Sequence, residues 1–266
     1  MNSCPPLEIA SLTDAGMSRS HNEDSHAIDA VSGFAILADG MGGYNAGEVA
    51  SEMAVTQLSA GLAAGLASDI DRAELIRHEV EQINATIYAA SQAQPQCAGM
   101  GTTLVAVMFH DGRLTVAHVG DSRLYRCRGE RFEAVTRDHS LLQEQIDGGI
   151  LSADEAHLSH NKNLVTRALG VEPFVQVEVG TQEVAPGDVY LLCSDGLNDM
   201  VADAHIERVL RANQANLQLA AQQLVQLAND NGGRDNVTVI LARVLAAPPP
   251  AQGMLARLSG WIRQSS

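Results

Sequence analysis

The chain has 266 residues, 45% of them hydrophobic and 3% aromatic, with a formal net charge of -15, which is enough for one large domain with a sizeable core. The acid excess argues against nucleic acid as a main partner, because phosphate backbones call for clustered Lys and Arg. Cys4, Cys97, Cys127 and Cys193 show no Cys-x-x-Cys spacing, so reduced thiols are expected rather than a zinc knuckle or a disulfide framework. The N-terminus has no basic segment followed by an apolar stretch, and no window of about 20 apolar residues occurs. The expected location is therefore cytoplasmic, with no transmembrane segment.

Leu7 to Leu12 and Phe34 to Ala38 read as strands, short and bounded by turn residues. Two stretches of helical periodicity follow, Ala46 to Leu66 and Asp71 to Ala93. In the second, Leu75, Ile76, Val80, Ile83 and Ile87 fall mainly on one stripe, which needs a sheet to cover it. Thr103 to Phe109, Leu114 to Val119, Leu124 to Cys127 and Phe132 to Val135 are strand-like. The turns His110-Asp111-Gly112-Arg113 and Arg128-Gly129-Glu130-Arg131 join them as hairpins, hence antiparallel sheet.

Asp138 to Leu169 differs in kind. It holds short helical pieces (Ser140 to Ile146, Ser152 to His157), the Gly148-Gly149 pair and a polar stretch, and reads as a flap inserted between strands. Val175 to Val179 and Val189 to Cys193 are again strand-like, Ala204 to Leu210 and Leu217 to Asn229 helical, and Val237 to Val244 the last strand. The run Pro248-Pro249-Pro250 ends that strand. Beyond it, Met254 to Arg263 sets Leu255, Leu258, Trp261 and Ile262 on one side, a tail helix too short to span a bilayer. The expected fold is α+β, a central antiparallel β-sandwich flanked by helical layers. The expected domain covers 1–247, with the flap at about 138–169 and a Pro-rich exit and short amphipathic tail at 248–266.

Four acidic turns carry the chemistry: Asn22-Glu23-Asp24, Ala38-Asp39-Gly40-Met41-Gly42-Gly43, Ser194-Asp195-Gly196 and Arg234-Asp235-Asn236. Each opens or follows an apolar run, so each carboxylate is expected where a buried strand meets a loop. Carboxylates gathered at one place raise one another's pKa unless a cation keeps them ionised, and oxygen ligands suit hard divalent ions. A lone Asp-Gly pair is ordinary turn chemistry. Two separate strands that each deliver an Asp-Gly point instead to a carboxylate metal centre.

These residues, with Arg19-Ser20-His21, Gly99-Met100-Gly101-Thr102-Thr103, Val119-Gly120-Asp121-Ser122-Arg123, Asp138-His139-Ser140, Leu164 to Gly170 and Leu197, resemble the metal-dependent type-2C (PPM) Ser/Thr protein phosphatases in their short bacterial form. The resemblance runs from about Ile9 to Val244 and implies a four-layer αββα sandwich. Position by position, it implies that Asp39 bridges two metals and that the Gly40 carbonyl binds one of them. Asp195 and Asp235 would be ligands of the other metal, with Asp24 acting through water and Asp121 holding a weaker third ion. Arg19 matches the arginine that grips the substrate phosphate; Glu23 and Asn236 are neighbours of the ligands. Mn²⁺ or Mg²⁺, two ions per site, is the implied cofactor.

The implied activity is hydrolysis of phosphoserine and phosphothreonine in phosphorylated proteins, opposing a Ser/Thr protein kinase of the same cell, by attack of a water oxygen shared by the metals. Such water needs no nucleophilic side chain. Two departures stand out: Tyr44 occupies the place where many bacterial members carry His, and Met41 that of the acid His proposed in eukaryotic members. Tyr44 is therefore a candidate modulator only. His21, His118 and His139 lie near motif positions but on no family ligand, and a structural role is expected of them. A non-catalytic phosphoprotein-binding module and a hydrolase of small phosphate esters are the alternative readings, and a Ca²⁺-stabilised structural sandwich fails to account for Arg19. A monomer is expected.

Overall fold

A computed structural model describes residues 4–42, 46–151 and 164–246. Along the chain lie β1 (Leu7–Asp14), β2 (Asp24–Asp29), β3 (Phe34–Met41), α1 (Ala46–Gly65), α2 (Arg72–Ala93), β4 (Gly101–Thr102), β5 (Leu104–His110), β6 (Arg113–Val119), β7 (Arg123–Arg128) and β8 (Arg131–Ala134). Then come α3 (Leu141–Asp147), β9 (Glu178–Glu183), β10 (Val189–Cys193), α4 (Asp195–Asn198), α5 (Asp203–Ala212), α6 (Leu217–Asp230) and β11 (Val237–Val244). One sheet has the order β1-β11-β10-β7-β8, the other β2-β3-β5-β6-β9, with β4 paired to the end of β3. The pairings between these strands are antiparallel.

Three apolar interfaces hold four layers together. In β3, Phe34, Ile36 and Ala38 face α1 and α2, where they meet Leu58, Leu62, Ile76, Val80 and Ile87. Ala35 and Leu37 point the other way and meet Tyr190, Leu192, Ile240 and Ala242 of the opposite sheet. In β11, Val237, Val239 and Leu241 face α5 and α6. A strand buried on both faces needs apolar residues at every position rather than alternation, which is why these runs read as continuous hydrophobic stretches. The result is the expected αββα sandwich. Helix α2 opens where the sequence places its start: Asp71 caps it, accepting hydrogen bonds from the backbone N–H groups of Ala73 and Glu74, an arrangement that contributes about 1 kcal/mol.

Three local expectations change. Asp24, read as the end of the acidic turn Asn22-Glu23-Asp24, opens the edge strand β2; its sequence DSHAID has no regular apolar alternation, because it lies at the sheet border and is only partly covered. β9 lies at Glu178–Glu183, downstream of the expected Val175 to Val179, because pairing with β6 rather than apolar content sets its register. Val175 and Val177 instead pack on the core between sheet and helices. Asp195 opens the short helix α4. In the flap, Ser140 caps α3 as its sequence suggests; Ser152 to His157, the tail from Met254 and Tyr44 lie outside the described residues.

Candidate active site

Strand pairing brings the first two acidic segments together. Asp24 at the start of β2 sits opposite Asp39 near the end of β3 in the antiparallel register. The backbone N–H of Gly40 donates to the Glu23 carbonyl at 3.1 Å, closing the end of that ladder. Gly40 is required by contact: a Cβ there would land on the Gly47 carbonyl oxygen in the first turn of α1 and lie 2.7 Å from the Glu23 carbonyl oxygen.

The opposite sheet supplies the remaining carboxylates. Asp195 follows β10, and Asp235 precedes β11. Ser194 and Thr238, from the neighbouring ends of β10 and β11, donate their hydroxyls to Asp24 Oδ2 at 2.8 and 2.7 Å, so one Asp24 oxygen ties the two sheets together. Asn236 does the same for the loops. Its side-chain carbonyl accepts the Glu23 N–H at 2.8 Å, while its amide donates to the Ala15 and His21 carbonyls at 3.0 and 2.8 Å.

The other Asp24 oxygen, Oδ1, and Asp195 Oδ1 are buried without a hydrogen-bond partner. An unpaired buried carboxylate oxygen costs free energy that a ligand can recover. Burial, then the charges of Asp24, Asp195, Asp121 and Asp235, push the Asp39 carboxyl well above its ordinary range. Burial and the charges of Asp121, Asp199, Asp235 and Asp24 do the same to Asp195. Asp24 is raised to about 6, chiefly by burial and against the hydrogen bonds from Thr238 and Ser194. Asp121, in the turn between β6 and β7, is raised to about 6 by burial and by Asp138. Five aspartates from distant segments therefore act on one another electrostatically, and only bound positive charge lets them all ionise at neutral pH. The donor set, all oxygen, and the two orphaned oxygens fit hard divalent cations.

Arg19 is the exposed member of the constellation, and its guanidinium contacts Asp235 Oδ2 at 2.7 Å. It therefore lies beside the acidic cluster. Residues that reading the sequence left without a role also build the site. Thr103 Oγ1 accepts the Asp39 backbone N–H at 3.1 Å and lies 2.7 Å from Ser122 Oγ, while Thr102 Oγ1 donates to the Asp39 carbonyl at 2.8 Å. The signal was the Gly101-Thr102-Thr103 motif, which matched without a function attached. Ser194 and Thr238 were legible only as neighbours of Asp195 and Asn236.

His118, His139 and Glu178 form the one trio of His, Cys or carboxylate groups, among the described residues, whose ligand atoms all lie within 4.8 Å. Their hydrogen bonds favour the structural role expected of the histidines. His139 Nδ1 accepts the Gly120 N–H at 3.1 Å, so the neutral ring keeps its proton on Nε2, facing Glu178 Oε2 at 3.3 Å. The ring stacks on His118 at 4.7 Å, and His118 Nε2 donates to the Arg137 carbonyl at 2.9 Å. The Gly120 turn that carries Asp121 is thereby fastened to the base of the flap.

The family profile described as protein phosphatase 2C matches residues 16–229. Protein phosphatase PhpP of Streptococcus pneumoniae is 38% identical over 244 residues, covering 88% of this chain and 96% of that protein. The crystal structure of the Mycobacterium tuberculosis serine/threonine phosphatase PstP/Ppp superimposes with a TM-score of 0.82 at 37% identity, over 90% of this chain and 99% of that one. A catalytic domain of PstP in complex with two manganese ions gives a TM-score of 0.79 at 38% identity, over 90% and 98% of the two chains. The two-sheet sandwich and its acidic crossing point define a metal-dependent phosphatase fold, and the chain belongs to the protein phosphatase 2C family. No described helix is long and apolar enough to cross a membrane.

Proposed function

We propose that this protein removes phosphate from phosphoserine and phosphothreonine of other proteins, with Mn²⁺ or Mg²⁺ held by the aspartate cluster. The observation that carries the reading is the pair of orphaned buried oxygens on Asp24 and Asp195 within a set of carboxylates that raise one another's pKa. Asp39 would bridge two ions, with Gly40 offering its carbonyl to one and Asp195 and Asp235 holding the other. Asp24 would act through water, and Asp121 would hold a third, weaker ion. When bound, such ions neutralise charge on the phosphoryl oxygens and acidify the water between them.

The chain's own residues do the rest. Ser194 and Thr238 hold Asp24 in one rotamer, Thr102 and Thr103 hold the Asp39 backbone, and Asn236 fixes the Glu23 loop beside them. Arg19 would leave Asp235 to take the substrate phosphate, since a guanidinium offers two parallel N–H donors to a phosphoryl group. The names of the relatives support a protein substrate. The reading further places the protein in the cytoplasm as a monomer, countering a Ser/Thr kinase.

The test is Mn²⁺-dependent turnover of a phosphothreonine peptide. Asp39→Asn and Asp195→Asn are each expected to lower kcat by about 10³-fold or more, the scale of several kcal/mol of lost charge stabilisation. Full activity in either variant, or turnover that survives exhaustive chelation, would remove the assignment.

A further inference from the structure

Beside the aspartate cluster opens a cleft of 780 Å³ between the base of the flap and the α4–α5 segment. One wall is α3, with Leu142, Gln143 and Ile146; the other is Asn198 to Ala204, with Met200 and Ala202 giving it an apolar side. Its described lining holds more carboxylates than cations. Among the described residues, Asp121, Asp138, Asp199 and Asp203 line it, with the guanidinium of Arg123. That guanidinium is spent on Asp138, which it grips through two hydrogen bonds of 2.8 and 2.6 Å. Asp203 accepts from the Tyr125 hydroxyl at 3.0 Å and lies at the exposed rim. Asp121 is only 6% exposed, and no other residue gives its carboxylate a hydrogen bond among the described residues. The cleft therefore starts at the reacting end of the site and runs outward along an apolar, negatively charged trough.

A long aliphatic stem ending in a cation matches that chemistry: methylenes against Leu142, Ile146 and Met200, and a charged head among the carboxylates. We infer that this cleft receives a Lys or Arg side chain flanking the phosphoresidue, so that the protein selects phosphorylated sites in a basic context. The inference rests on the phosphoprotein reading above and specifies its substrate class. Asp203 supplies the charge at the outer end, away from the residues assigned to the ions. The acidic surface at large attracts any cation weakly. The cleft differs in offering half-buried apolar contact together with the charge, next to the place where phosphate must lie.

The experiment compares three phosphothreonine peptides that differ only in carrying Lys, Gln or Glu on both sides of the phosphoresidue. Values of kcat/KM are measured at low and at high salt, with a small aryl phosphate as the control for the centre itself. The wild type is expected to prefer the Lys peptide over the Glu peptide by about tenfold, the scale of two partly exposed ion pairs, and to lose most of that preference in high salt. Ala204→Lys adds a cation to the exposed rim, and Asp203→Asn removes an anion while keeping an acceptor for Tyr125. Each is expected to cut the preference by about threefold while leaving the aryl phosphate and the Gln peptide unchanged. Binding of an unphosphorylated Lys-flanked peptide, measured by calorimetry on the same proteins, reads the cleft without any turnover and should weaken in step.

Equal kcat/KM for Lys and Glu peptides in the wild type would overturn the inference. So would a preference that both variants leave intact. Failure to hydrolyse any phosphopeptide, with the aryl phosphate still turned over, would instead sink the protein-substrate reading. The calorimetric series would then decide the cleft alone, with peptide binding insensitive to Ala204→Lys counting against it.

Discussion

Asp24→Asn should stabilise the metal-free protein and at the same time cripple the metal-loaded one. Asp24 is buried, and its carboxyl is raised from 3.8 to about 6, mainly by desolvation. A raised acid pKa means the folded state holds its proton more tightly than the unfolded state. The charged form therefore costs stability above the folded value, and that cost fades as pH falls through it. At pH 7.5 the shift of about 2.2 units corresponds to about 3 kcal/mol, and at pH 5 the same expression leaves about 1.6 kcal/mol. Asparagine removes the charge, keeps an oxygen for Ser194 and Thr238, and offers its amide on the side of Asp39, its partner across the ladder. Urea unfolding in chelator at pH 5, 6 and 7.5 is the assay. The variant should be more stable by about 3 kcal/mol at pH 7.5, with the advantage roughly halved at pH 5. The pairwise comparison cancels the histidines His26, His110 and His139, whose lowered pKa values give an opposite slope common to both proteins. Adding Mn²⁺ at pH 7.5 should reverse the order. A chelated variant no more stable than the wild type, or an advantage indifferent to pH, would refute the claim that carboxylate crowding is what a cation relieves.

Arg19→Ala should lower kcat/KM by about 10- to 100-fold, the range of a charge-assisted hydrogen bond, with Arg19→Lys recovering only part of it; steady-state kinetics on a phosphopeptide checks this. The same Arg19→Ala change frees Asp235 of its exposed partner, so Mn²⁺ affinity by calorimetry should not fall. Gly40→Ala forces a Cβ onto the Gly47 carbonyl in the first turn of α1 and should cost about 3 kcal/mol, a drop in Tm of about 6 to 12 °C by thermal unfolding. Thr103→Val removes the acceptor for the Asp39 N–H and the link to Ser122. It should cost about 1 to 3 kcal/mol and weaken Mn²⁺ binding, and Thr103→Ser should restore both.

The sequence marks where chemistry is mounted more clearly than which mounts meet. Asp39 and Asp195 stood out because each ends a run buried on both faces, and such a run is visible without knowing its neighbours. Asp24 was placed at a turn because DSHAID lacks regular alternation, yet its function depends on β2 being a strand, since only the register of β2 against β3 sets Asp24 opposite Asp39. Edge strands escape pattern reading because one border and part of one face stay open to water, so selection for apolar residues is weak. Thr238 and Ser194 were hidden for a different reason. Their hydroxyls matter through bonds to a residue 214 and 170 positions away, and no local spacing reports a contact made by the crossing of two sheets. His139 shows the converse, a motif residue expected to be structural because it falls on no family ligand, with the Gly120 N–H on its Nδ1 fixing the tautomer. The aspartate cluster lies at the seam between sheets that share no strand, so its assembly reports correct docking of the whole sandwich. Cation binding should therefore stabilise the fold globally rather than loop by loop, and hydrogen exchange with Mn²⁺ should slow in β3, β10 and β11 together.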